Sequence, residues 1–299
     1  MGKNCNGGKR RISFTSPSLS FKSATVEVTV HERNSTAAPR VSWLVGGHPF
    51  YSTDAYKLYE ELKHSVKRTT IYGLCDDGCD EVKLRLCSPE HLAPVFLMWP
   101  SRSFDINLLN AEEPEVPLMD GSALPFFSML RRETGVPEEL SFYEAPVRAE
   151  WDLVRDGVVY GHVRMEPSEA FEVEYEMSSV GSYAAVSVYS AEDLYALFMA
   201  RTFITDAEYK AARASGLLEG VDETCGLLLS GNGLDNAKFR VHSEPAMHKV
   251  LDLLGDVAFV CPSLPKVRIE ILNGGHVAHH QIVEKLLPYV SLNVAPEVR

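Results

Sequence analysis

Residues 244–256 read Glu-Pro-Ala-Met-His-Lys-Val-Leu-Asp-Leu-Leu-Gly-Asp, and the fold turns on this stretch. Met247, Val250, Leu251 and Leu254 recur at helical spacing and give the segment an apolar face. Such a face needs a sheet or another helix to cover it. A strand-like run follows at 267–272, then helical text at 277–287. Upstream, four strand-like runs occupy 144–149, 158–165, 171–177 and 183–188, and helical spacing recurs at 191–200 and 207–215.

The first half repeats this mixture. Val26, Val28 and Val30 alternate with Glu27 and Thr29, a half-buried strand pattern. Residues 54–64 read as a helix, 69–74 and 81–87 as strands around the turn text CDDGCD, and 104–109 as another strand. Asp120 is the expected N-cap of a helix running to Arg132. The expected fold is therefore α+β, with two similar domains, each a β-sheet layered with α-helices as a two-layer sandwich. Their expected limits are a loose tail at 1–11, domains at 12–133 and 143–299, and a linker at 134–142.

Composition narrows the function class. Among 299 residues, 29 Lys and Arg face 41 Asp and Glu, a net charge of −12. That balance argues against broad binding to nucleic acid or to an anionic membrane surface. No run approaches the roughly 20 apolar residues of a membrane helix. Met1-Gly2 opens like an acylation signal, but Asn6 stands where Ser or Thr is needed. Six thinly spread cysteines read as reduced thiols, so a cytoplasmic location is expected, and a monomer.

Three segments could carry chemistry. His248, Asp252 and Asp256 stand four residues apart on one helix stripe, where an imidazole and a carboxylate can share a metal ion. Taken alone, H-x-x-x-D is a common accident and reads first as a solvated stripe. Asn273-Gly274-Gly275-His276 follows a strand and precedes a helix, so it can bring backbone and one imidazole close to a ligand; a capping loop with a surface histidine is the plainer account. His279 and His280 are adjacent, point in different directions and are set aside. Pro89-Glu90-His91-Leu92 offers a metal ligand beside a base, a pair that also arises by chance. Cys75, Cys79 and Cys87 lack the two-residue spacing of structural zinc sites and read as hairpin-turn cysteines. No phosphate loop, hydrolase elbow or dinucleotide fingerprint occurs.

Taken together and in order, these segments resemble the zinc-dependent UDP-3-O-acyl-N-acetylglucosamine deacetylases of lipid A synthesis. Residues 89–92 stand for the family's V-E-H-L, and 115–123 (EVPLMDGSA) for E-V-P-I-M-D-G-S-A. ARTF at 200–203, HKVLDLLGD at 248–256 for H-K-I-L-D-A-I-G-D, and Gly275-His276 for a late G-H complete the match. The resemblance implies an active site between the two domains, with His91, His248 and Asp252 as zinc ligands. It implies Glu90 as general base and His276 as catalytic histidine, with Asp256 orienting it. Thr202 would hold the oxyanion, Lys249 would face the substrate diphosphate and Phe203 would line the substrate passage. Iron(II) is the alternative metal, since two histidines and an aspartate hold either.

Departures cluster where substrate would bind. The family's early G-L-H-S-G is replaced by SLSFKSA at 18–24, and two residues are missing after Phe203. The strand–helix–strand insert that encloses the acyl chain in the family would span about 206–229, with Gly216, Leu217, Leu218 and Cys225 as lining. The implied substrate is an N-acetylated amino sugar, acylated and UDP-linked. A divergent deacetylase of another N-acetylglucosamine-containing substrate is the alternative.

Overall fold

The computed structural model describes residues 10–31, 39–54, 70–76, 81–110, 114–230 and 238–293. The helix expected at 54–64 falls outside them except for Asp54, as does Cys79. Strands β1 (Arg10–Ser16), β2 (Ala24–His31), β3 (Val41–Val45) and β4 (His48–Ser52) come first. An antiparallel hairpin, β5 (Thr70–Asp76) with β6 (Glu81–Cys87), follows before β7 (Ser103–Leu108) returns to the first sheet. The order β1-β2-β7-β3-β4 is mixed: β7 runs antiparallel to β2 and parallel to β3. The alternation seen in the sequence does its work here, because Val26, Val28 and Val30 share a buried face with Phe104, Ile106 and Leu108. Helix α1 (Leu124–Thr134) meets β1 through Phe126, edge-on to Phe14 at 5.0 Å between centroids.

The second sheet takes β8 (Phe142–Glu144), β9 (Ala149–Arg155), β10 (Val158–Pro167), β11 (Phe171–Met177) and β12 (Ser182–Val188). After helix α2 (Ala191–Phe198), the short strand β13 (Phe203–Thr205), helix α3 (Asp206–Ala214) and β14 (Leu227–Leu229) form a parallel strand–helix–strand unit of their own. Helix α4 (Glu244–Val260), β15 (Leu264–Leu272) and α5 (His276–Asn293) complete the chain. β15 enters the middle of the second sheet, parallel to β11 and antiparallel to β10, with β8 parallel beside its first residues.

Two sequence expectations are corrected. Asp120 does not cap α1: Oδ1 of Asp120 accepts from Ser122 N and Oγ in a turn ahead of the helix, which starts at Leu124. Pro125 explains the late start, because proline is tolerated only in a helix's first turn. The single strand expected at 144–149 is split into β8 and β9, with Pro146 in the break, where proline cannot donate to a ladder.

Helix α4 ties the two sheets together. Every residue in it is buried except Met247 and Lys249, the pattern of a helix covered all round. The one-sided apolar face expected from the sequence, which included Met247, is therefore too narrow. On one flank Phe259 stacks on Tyr51 of β4 at 4.9 Å and lies 5.2 Å from Trp43 of β3, while Tyr51 Oη donates to the Val260 carbonyl at 3.3 Å. On the other flank the helix rests on β11 and β12.

Candidate active site

Cys87 ends β6, and the backbone then turns sharply through Ser88, whose φ of 57° is left-handed. Two short 3₁₀ turns follow, Pro89–His91 and Ala93–Met98, each with its proline at the start, where the missing N–H costs nothing. Pro94 is thus accommodated in a short helical piece. These turns lie against α4, and Gly255 is what permits the approach. A Cβ built there would sit 2.0 Å from the Glu90 carbonyl oxygen and 2.6 Å from its Cα.

The contact delivers His91 to α4. Its Nε2 lies 3.3 Å from Asp252 Oδ1, and His248 Nε2 reaches the same oxygen at 3.2 Å. The two imidazole rings meet edge to face at 4.8 Å. All three side chains are buried, and one ligating atom from each falls within 4.8 Å of the others. His248 Nδ1 lies 3.1 Å from the Ala200 carbonyl. A carbonyl only accepts, so Nδ1 carries the proton and Nε2 presents its lone pair to the cluster. Burial pushes the His248 pKa down, keeping the ring neutral. Burial works to raise Asp252, but His248 and Lys249 hold it well below the usual carboxylate range. Asp252 Oδ1, converged on by two imidazoles, has no hydrogen-bond donor of its own. Two imidazoles and one carboxylate, with room on the cavity side, fit a divalent metal with an open coordination position.

Glu90 stands beside this cluster. It is buried, its Oε2 has no hydrogen-bond partner, and its carboxyl is pushed up to about 8. Burial is the main cause; His91 opposes it, and Asp252 and Asp256 add to it. One turn along α4 from Asp252, Asp256 Oδ2 lies 4.0 Å from His276 Nδ1 and 3.4 Å from His279 Nδ1, and Oδ1 lies 3.8 Å from His280 Nε2. Burial would raise Asp256, but the facing imidazoles of His276, His279 and His280 hold it below the ordinary carboxylate range. His279 and His280, set aside in the sequence, thus stand beside Asp256. Adjacent side chains diverge, yet both come from the first turns of α5 within reach of one carboxylate. The i, i+3 spacing of His276 and His279 was the signal that could have found the first of them.

Thr202 is pinned by backbone. Its N–H donates to the Gly121 carbonyl at 2.6 Å, and its own carbonyl accepts from Leu227 N at 2.8 Å. Gly121, in the DGS text, has a φ of 81°, and any Cβ there would lie 2.5 Å from the Cys225 carbonyl. Next door, Arg201 is fastened to Glu244 by its backbone N at 2.9 Å and its Nε at 2.8 Å. Glu244 is wholly buried, and the sequence reading passed over both members of this pair. Lys249 Nζ donates to Asp252 Oδ2 at 2.7 Å and lies 5.7 Å from the centre of the Phe203 ring.

Glu90, His91, Thr202, Phe203, His248, Lys249, Asp252 and His276 all border one cavity of about 1140 Å³, and Asp256 lies behind His276. Leu19 and Leu118 come to its wall from the first half of the chain, Leu217, Leu218 and Cys225 from the unit around α3; Gly216 is not on the wall. Among the described residues six non-glycines have positive φ, and four of them directly precede a site segment: Ser88, Met119, Ser243 and Asn273. Strain of this kind persists only where surrounding structure holds it, and it gathers at functional sites.

The LpxC family model, UDP-3-O-acyl N-acetylglycosamine deacetylase, matches residues 50–288. Among curated proteins, the UDP-3-O-acyl-N-acetylglucosamine deacetylase of Phenylobacterium zucineum is 32% identical over 207 residues, 66% of this chain and 67% of that protein. The enzyme of the same name from Syntrophotalea carbinolica is 31% identical, over 60% of this chain and 59% of its own length. That from Aquifex aeolicus is 27% identical, over 68% and 70%.

Proposed function

The chain belongs to the UDP-3-O-acyl N-acetylglycosamine deacetylase family, and from that premise we propose that it hydrolyses the acetamide of UDP-3-O-acyl-N-acetylglucosamine. The products are acetate and the free amine, a step of lipid A synthesis. The observation that supports this best is the convergence of Glu90, His91, His248, Asp252 and His276 on one cavity wall. His91, His248 and Asp252 would hold zinc, which supplies Lewis acidity and would lower the pKa of a bound water to about 7.

Glu90, buried beside the cluster with Oε2 unpartnered, takes the proton of the attacking water, and a cation held by His91, His248 and Asp252 would favour the carboxylate form this requires. As oxygen adds to the carbonyl carbon, Thr202 donates to the developing oxyanion, a contribution of about 3 kcal/mol for a well-placed donor. His276 gives its proton to the nitrogen as the C–N bond breaks, and Asp256 keeps that ring aimed. Phe203 borders the passage for the acyl chain. Lys249, once its bond to Asp252 loosens around a bound metal, reaches for the diphosphate.

Acetate release from the acylated UDP-sugar and from a plain N-acetylglucosamine saccharide is the test, with Glu90→Ala and His276→Ala beside the native protein. Turnover of the nucleotide alone, falling by about 10²-fold or more in each variant, supports the reading. Turnover of the plain sugar instead would transfer it to another substrate. No release from either by the metal-loaded protein overturns it.

A further inference from the structure

Asp256 is faced from several elements. His276, His279 and His280 approach it from α5, Glu90 stands near it on the 3₁₀ turn, and Asp252 lies one turn away on its own helix. Of the three histidines, His279 is fully enclosed, with no exposed surface. Its Nε2 lies 3.1 Å from the hydroxyl of Tyr175, an equally enclosed residue of β11. The two rings meet nearly perpendicular at 5.8 Å. Glycine at 274 keeps this arrangement open, since a Cβ there would lie 2.9 Å from the Tyr175 oxygen and 2.4 Å from Ile271 Cγ2.

The chemistry of these groups orders the protons. Asp256, held as a carboxylate, can only accept, so the nitrogen facing it, His279 Nδ1, must carry the hydrogen. A buried, neutral imidazole has one N–H, so Nε2 is bare and must accept from Tyr175. The phenol is therefore the donor at the far end: Tyr175 Oη–H donates to His279 Nε2 at 3.1 Å, His279 Nδ1–H faces Asp256 Oδ2 at 3.4 Å, and His276 Nδ1 stands 4.0 Å from the same oxygen. At 3.4 Å the second link is long for a finished hydrogen bond, as catalytic contacts without substrate commonly are.

We propose that Tyr175 and His279 are positioning residues for the deacetylation, forming a buried relay that fixes the Asp256 carboxylate so that it presents His276 to the leaving nitrogen. The proposal rests on the activity given above but adds residues to it. A neutral imidazole occupies Asp256 without neutralising it, so the carboxylate's charge stays available to His276, the ring that must carry the proton it gives to the leaving nitrogen. Had His279 been a Lys or Arg, that charge would be spent inside the protein.

The test pairs two independent measurements on the full-length, metal-loaded protein. Nitrogen-15 spectra of the imidazoles should show His279 protonated at Nδ1 and bare at Nε2 from pH 6 to 8. The opposite tautomer, or a ring that takes up a second proton in that range, overturns the relay whether or not the protein releases acetate. Kinetically, Tyr175→Phe removes one hydroxyl without changing shape. It should lower kcat about tenfold at nearly constant KM, in the range of supporting partners of active-site ligands. His279→Leu should lose more, and His279→Asn, whose amide N–H falls near the Nδ1 position, should recover most of that loss. An unchanged kcat in Tyr175→Phe, or an equal loss in His279→Leu and His279→Asn, would mean that the pair only fills space. Should His279→Leu fail to fold, Tyr175→Phe decides. A native protein that turns over no acetamide sinks the proposed activity instead, and the nitrogen spectra still judge the relay.

Discussion

Glu90 shows how much a single residue's surroundings add to its identity. From the sequence it is one acid beside one histidine, a pair with no special claim. In the fold it loses its water, faces Asp252 and Asp256, and its carboxyl rises to about 8 from an ordinary value of 4.5. The folded chain then holds a proton that the unfolded chain releases, so the metal-free protein should lose stability as pH climbs through that window. A bound cation reverses the preference, because it favours the carboxylate. In melts of the metal-free protein, Glu90→Gln should gain on the native chain steadily from pH 5 to pH 8 and then level off. Saturating zinc should shrink the difference. Parallel melting curves across that range would show that Glu90 is ionised in the fold. His279 makes the complementary point: its value lies in one carboxylate and one phenol that are far away in the chain, at 256 and 175, so no local spacing could reveal the whole set.

Among the elements, periodicity carried most of the reading, and prolines marked where it failed. The strand expected at 171–177 is β11 to the residue, and α2, α3 and α4 begin within one residue of expectation. Pro146 broke one expected strand and Pro125 delayed one helix. Helix α4 was legible as a helix but not as a fully buried one, since His248, Asp252 and Asp256 were counted as its wet side. They are dry because they face one another, the 3₁₀ turn and, at Asp256, the histidines of α5. Gly255, between the second and third of them, is the hinge of that packing. Gly255→Ala should cost about 1–3 kcal/mol, the usual range for forcing a methyl into filled space, although alanine is the better helix former. The same methyl presses on Glu90, so zinc affinity should fall about tenfold as well. Chemical denaturation and metal titration check the two effects. A stabilised variant that binds zinc normally would show that the helix and the turn can part without harm.

At the scale of the whole molecule, the cavity is built from segments that the chain order keeps apart. β13 and β14 pair in parallel, which requires a crossover, and α3 supplies it. Thr205 caps α3 by accepting from Glu208 N at 3.3 Å, while Glu208 Oε2 accepts from Thr205 N at 3.0 Å. Glu208, Ala211, Ala212 and Ser215 then form an i, i+3, i+4, i+7 stripe along the cavity, yet no residue of α3 is buried. A helix whose inner stripe rests on open space and small side chains leaves that space for something else, and the apolar neighbours Leu217, Leu218 and Leu227 suit a hydrocarbon chain. An acyl group entering there buries about 0.8 kcal/mol per methylene, so occupancy should raise the melting temperature. Ala212→Trp fills the same space. It should cut kcat/KM for the long-chain acylated nucleotide by about 10- to 100-fold, leave zinc binding intact, and spare a short-chain analogue. Equal losses on the long-chain and short-chain nucleotides would place the acyl chain elsewhere and leave α3 as a cover for the sugar alone.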